Sequence, residues 1–304
     1  MKLPVLIKWR VLRTRLYLES LRLRAFYLPA IIFLLTTFTT VNAYHLYRFS
    51  GVWNTFESAG GNAFKFCETN RMNEIIRQPA NTWSNFGYLA VGLFALTLAV
   101  HDYKNKSRRQ SANFLVQYPM FSLLYGLSCL YLFIGSFLFH ASLTEYFQRL
   151  DQSGLLSVVI MLLALNFYKL APYFRKKGEW KNLHAVAMIA AVVCNVLIFR
   201  WLLSIDINVL FPVLLLMVIA SGLFYTFKIR NKSFFLNYMY AAFLLMFLAG
   251  GIWILDRSHT LCNPDSMLQG HALWHLLTAV SMFFIYLYYR SGSLSDKELA
   301  EAGI

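Results

Sequence analysis

"QYPMFSLLYGLSCLYLFIGSFLFH", residues 117–140, decides the fold. It contains no Asp, Glu, Lys or Arg, and a bilayer core about 30 Å thick takes about 20 apolar residues per helical crossing. Seven similar runs accompany it, at about 28–48, 83–101, 152–170, 183–203, 207–227, 235–255 and 270–289. The 304 residues are 58% hydrophobic, 17% aromatic and only 14% charged, too few polar groups to cover a water-soluble globule. The expected fold is therefore all-α, a polytopic transmembrane helix bundle with a seven-helix core and one additional N-terminal helix. Its segments are a basic N-terminal stretch (1–27), the extra helix (28–48), a loop (49–81), the core (82–290) and a tail (291–304).

The net charge of +14 first suggests nucleic acid. The basic residues argue otherwise, because they sit between apolar runs and not along one face. Of the 28 Lys and Arg residues, 21 fall in the N-terminal stretch and in alternate connections thereafter. The positive-inside rule then puts both termini in the cytoplasm and the intervening connections outside. A cleaved signal peptide is the poorer reading of the N-terminus, since the run is longer than the h-region of a signal and lacks a clear small-residue cleavage site. Residues 1–27 fit a basic amphipathic helix on an anionic leaflet, or a disordered basic tail.

Ionisable groups in hydrocarbon are costly and therefore informative. On this topology the 117–140 helix runs outward and ends with Ser136 and His140. Asp151 stands at the outer start of the next span, and His271 and His275 lie in the first two turns of the last one. All five share one depth. Ser136 and His140 are four residues apart, as are His271 and His275, so each pair points from one helical face. Three neutral imidazoles suit a tetrahedral zinc ion with a fourth position free for water. His45, His101, His184 and His259 have no such partners and read as interface or loop residues. Cys129 and Cys194 fall within spans as small apolar residues. Cys67 and Cys262 fall in outer connections, where a disulfide persists if one forms; two cysteines leave the pairing open. The loop before the second span is rich in turn formers, with Asn81 or Thr82 expected near that helix's cap.

These residues lie in motifs that resemble the alkaline ceramidase family, part of a superfamily of seven-helix membrane hydrolases and receptors with a three-histidine zinc site. The motifs are "FCETN" (66–70), "QPANTWSN" (78–85), "GSFLFHASL" (135–143) followed by Asp151, "WILD" (253–256) and "GHALWH" (270–275). The resemblance implies zinc on His140, His271 and His275, Ser136 beside the metal to steady an oxyanion, and Asp151 to hold and deprotonate the attacking water. It also implies a disulfide through Cys67, with Cys262 as the partner. Animal ceramidases bind calcium through acidic residues in the first loop. Here Glu68 and Asn70 remain, but Lys65 and Gln78 stand where carboxylates are expected, which argues against a calcium site because a hard dication wants several anionic oxygens.

The expected activity is zinc-dependent hydrolysis of the N-acyl bond of a ceramide-like membrane lipid, with no nucleic-acid partner and an active site on the side away from the cytoplasm. Three other readings compete. A lipid-ester hydrolase would keep the metal and change the bond; a receptor or sensor would use zinc structurally; a transporter would place its polar groups at mid-depth rather than near one face.

Overall fold

The computed structural model describes residues 26–60, 65–104, 113–171, 183–201, 206–229, 236–260 and 262–292. Most of the N-terminal basic stretch, the tail beyond residue 292 and much of the basic connections lie outside the described residues. Among the described residues the chain is helical: α1 (Tyr27–Tyr47), α2 (Pro79–Ser84), α3 (Phe86–Lys104), α4 (Phe114–Gln117), α5 (Pro119–Ser142), α6 (Glu145–Leu170), α7 (Leu183–Trp201), α8 (Ile207–Ile229), α9 (Leu236–Arg257) and α10 (Gly270–Ser291). Seven helices are long and apolar enough to cross a membrane, and α7 adds a shorter apolar helix over Ala185–Trp201. The all-α polytopic bundle with an extra N-terminal helix is what the hydropathy pattern predicts. It is a membrane protein.

At the centre of the bundle α5 packs on α3 and α6, while α10 packs on α9 and α3. The core is apolar, built around Tyr88, Leu98, Phe121, Leu132, Val158 and Met282. α1 buries none of its residues; its Phe26 stacks on Phe94 and its Phe33 meets Phe86 edge-on. Its Thr36, Thr37, Thr39 and Thr40 hydroxyls bond back to carbonyls one turn earlier, which lets hydroxyls sit on a lipid-facing helix.

Polar contacts close both ends of the bundle. At one end Arg290 Nη2 donates to Asp102 Oδ2 at 2.7 Å, joining α10 to α3, and both side chains are buried. At the other, the last carbonyls of α5 receive the long connection between α1 and α2. Gln78 N donates to His140 O, Arg77 N to Ala141 O, the Arg77 guanidinium to Ser142 O, and Ala59 N to Leu143 O. These carbonyls are the orphan acceptors that any helix C-terminus leaves, so the loop docks where backbone chemistry demands partners. Leu143, fully buried at φ 49°, adopts the left-handed conformation that ends α5 and turns the chain into α6.

Two expected boundaries change. α6 begins at Glu145, so Asp151 lies nearly two turns inside it and not at its start. The polar segment before the apolar run is helical because Glu145 and Arg149 pair one turn apart at 3.3 Å and Gln148 and Asp151 turn toward a cavity. Asn81 and Thr82 lie within α2 and do not cap it; Pro79 occupies its first position and the Glu68 carboxylate takes the cap, as described below.

The α5–α6 approach hinges on Gly135. A Cβ there would lie 2.6 Å from the Leu150 carbonyl carbon and oxygen and 2.8 Å from Asp151 N, all of them backbone atoms that cannot swing away. This contact presses the Asp151 backbone against the helix that carries Ser136. Gly135→Ala is expected to lower stability by about 1–3 kcal/mol through overpacking and to displace Asp151, read as a lower melting temperature in detergent. Gly251→Ala, which meets nothing within 4 Å, should leave the melting temperature unchanged or slightly raised.

Candidate active site

Two helices deliver three histidines to one end of the bundle. His140 comes from the last turn of α5, and His271 and His275 from the first turns of α10; all three are buried. One ring nitrogen from each lies within 4.8 Å of the other two. His140 Nε2 and His271 Nε2 are 3.2 Å apart, close to the edge of about 3.4 Å that a tetrahedron of 2.0–2.1 Å zinc–nitrogen bonds requires. Among the described residues this is the group of His, Cys, Asp and Glu side chains that could hold a metal ion. The four other histidines fall elsewhere.

The partners of these rings assign their tautomers. His140 Nδ1 lies 2.7 Å from Gln78 Oε1, an acceptor, because the Gln78 amide nitrogen donates to Asn70 Oδ1 at 2.6 Å. His140 therefore carries its proton on Nδ1 and leaves Nε2 bare. His275 Nδ1 lies 3.1 Å from the Asn81 carbonyl and 2.8 Å from Ser84 Oγ, whose own proton goes to that same carbonyl. His275 too is protonated on Nδ1. His271 Nδ1 is buried without a hydrogen-bond partner among the described residues, and its ring stacks on Phe66 at 3.9 Å. Bare nitrogens turned toward one point repel unless a cation or proton sits among them. The donor set fits zinc, whose histidine ligands ordinarily donate their second N–H to an oxygen.

The loop that carries Gln78 is itself fixed by buried charge. Glu68 accepts from Ala80 N at 2.6 Å and Asn81 N at 2.9 Å, so its carboxylate sits at the N-terminus of α2. Burial pushes its carboxyl above the usual range, against the opposing pull of those two N–H bonds. Asp256, at the end of α9, accepts from His271 N at 3.1 Å and Cys67 N at 3.2 Å, capping α10 and holding the first loop with one side chain. Gly270 makes this possible: a Cβ there would fall 2.9 Å from that of Asp256. Cys67 and Cys262 form a disulfide that fastens the same loop to the α9–α10 connection.

A cavity of about 360 Å³ opens beside the histidines. Ser136, Asp151, His271 and His275 all line it. Tyr88 joins the wall, its hydroxyl 2.6 Å from Thr278 Oγ1. The rest is largely apolar, including Leu132, Phe139, Leu155, Phe211, Trp253 and Trp274. Buried polar groups at the head of an apolar chamber suit an amphiphile.

The family model for ceramidases matches residues 61–301, which take in every one of these groups. The chain belongs to the ceramidase family. It finds no match among curated proteins or solved structures. Ceramidase membership supports a hydrolase with a lipid substrate, in keeping with an apolar cavity inside a membrane bundle. Of the residues singled out in the sequence, Ser136, Asp151, His271 and His275 line this cavity and His140 adjoins it behind His271, while Lys65 is exposed and away from it. Glu68, Asn70 and Gln78 form a chain of contacts leading to His140 rather than an open cluster of oxygens. Ser84 and the cap formed by Asp256 escape sequence reading; the motifs "QPANTWSN" and "WILD" contain them, but nothing in their spacing reveals what they touch.

Gln78 orients His140 without being a ligand. Gln78→Ala is expected to weaken the affinity of the three-histidine group for added zinc about 10- to 100-fold, measured by competition with a chelator on purified protein. Gln78→Glu, which keeps the acceptor for His140 Nδ1, should retain most of it.

Proposed function

We propose that this chain is a zinc-dependent amidohydrolase that cleaves the N-acyl bond of ceramide-like lipids within the membrane, giving a fatty acid and a sphingoid base. The observation that carries the reading is the convergence of His140, His271 and His275 beside a cavity that His271, His275, Ser136 and Asp151 line. Family membership supports the lipid substrate. The basic connections support placing this end of the bundle away from the cytoplasm.

His140, His271 and His275 would hold the metal, which supplies Lewis acidity that acidifies water and polarises the amide carbonyl. The residues do the rest. Asp151 takes a proton from the attacking water as its oxygen bonds to the carbonyl carbon. It then passes that proton to the nitrogen as the carbon–nitrogen bond breaks. Water thus ends as the acid's new oxygen and the amine's new hydrogen. Ser136 has one hydroxyl proton, so it can serve the Asp151 carboxylate or a developing oxyanion but not both. As negative charge builds on the former carbonyl oxygen, the hydroxyl turns to it. The apolar walls hold the acyl chain and exclude other water.

Replacing His140, His271 or His275 by Ala is expected to remove stoichiometric zinc, measured by metal analysis of detergent-purified protein. Asp151→Asn should keep the metal and lose most turnover; normal activity in that variant would refute its role. Ser136→Ala should cost less, about 10- to 1,000-fold. Release of sphingoid base from ceramide, against lysophospholipid from phospholipid, distinguishes amide from ester cleavage. With Glu68 occupied by backbone N–H groups and Gln78 by Asn70 and His140, a calcium-selective chelator should leave activity unchanged.

A further inference from the structure

The cavity holds a cation that the hydrolytic chemistry does not use. Arg257, the last residue of α9, lines it with its guanidinium 5.0 Å from the Trp253 ring centre and 5.9 Å from that of Phe66. Phe66 in turn stacks on His271 at 3.9 Å, so one aromatic ring separates Arg257 from the metal-binding histidines. The Arg257 guanidinium makes no hydrogen bond and no ion pair with any described residue. Its neighbour Asp256 spends its oxygens on His271 N and Cys67 N. The carboxylate in the cavity wall is that of Asp151, which forms no ion pair with Arg257 among the described residues. On the α6 side of the same wall, Gln148 and Gln152 present side-chain amides with no hydrogen-bond partner among the described residues.

A half-buried guanidinium held over aromatic faces favours an anion with several oxygens, and two amide groups add neutral donors. We propose that Arg257, together with Gln148 and Gln152, selects acyl-amide lipids whose amine side carries an anionic headgroup, a phosphate ester above all. In an N-acylated sphingoid lipid the headgroup hangs from the carbon next to the one that bears nitrogen. The amide can therefore lie at the histidines while the headgroup lies one ring away. The inference rests on the hydrolase reading for its activity test and on no reaction at all for its binding test.

The full-length protein in neutral detergent is offered an N-acyl sphingoid base, its 1-phosphate, and an N-acyl amino acid with a free carboxylate. The 1-phosphate is expected to exceed the neutral lipid in kcat/KM by on the order of ten- to a hundred-fold, the worth of a charge-assisted hydrogen bond. Arg257→Gln should abolish that ratio mainly through KM, and Arg257→Lys should restore part of it. Equal gain for the carboxylate lipid would mark the site as a general anion site, and gain for the phosphate alone as a phosphate site. In parallel, dodecyl phosphate should raise the melting temperature more than dodecanol does, with and without a zinc chelator, and Arg257→Gln should erase the difference. Turnover of the neutral lipid as fast as the phosphate by the wild type, or a preference that survives Arg257→Gln, overturns the proposal. Arg257-dependent stabilisation by dodecyl phosphate without turnover of any lipid would sink the hydrolase reading and leave the anion site standing. Absence of that stabilisation would remove the site.

Discussion

Three imidazoles buried at one end of the bundle, with their bare nitrogens turned toward each other, form an arrangement that must be held from outside. Two of the three are aimed by acceptors behind them: Gln78 behind His140, and the Asn81 carbonyl with Ser84 behind His275. Those acceptors belong to the first loop and α2, not to the helices that bear the histidines. The loop is therefore part of the site. Its own anchorage follows from backbone chemistry, since α5 ends with carbonyls needing donors and α2 begins with N–H groups needing an acceptor. Arg77 and Gln78 supply the first and Glu68 the second.

Asp256 joins this frame to the last helix. One carboxylate caps α10, which carries two of the histidines, and grips Cys67, whose disulfide fastens the same loop a second time. A residue with no place in the chemistry thus sets the relative position of the groups that have one. The opposite end of the bundle is closed by the buried Arg290–Asp102 pair, and Asn113 binds the Arg290 and Gly292 carbonyls there. Between the two ends the packing is apolar, so the helices can be registered by close contacts such as that at Gly135.

The glutamine at position 78 shows why the first loop resists reading by motif. Beside the resemblance it is a missing calcium ligand; in the structure it is a bridge from Asn70 to His140. The residue type is the same in both descriptions, but its role depends on a contact across 62 positions of sequence. Asp151 is a second case. The apolar run after it suggests a helix start, whereas the helix begins six residues earlier because the polar segment can turn its side chains into a cavity that only the assembled bundle creates.

What the amino-acid sequence determined by itself was the number and order of apolar helices, the distribution of charge between them and the i, i+4 pairing of Ser136 with His140 and of His271 with His275. Each of these is a local property, dictated by hydrocarbon thickness and helical periodicity. The tertiary structure alone decided that Glu68 caps α2, that Asp256 holds α10, that Gln78 and Ser84 aim the imidazoles and that Arg257 faces the cavity without a counter-ion among the described residues. Those facts arise from side chains meeting across helices and loops, where partners are chosen by unsatisfied backbone groups and buried charge, and no repeating pattern along the chain records the choice.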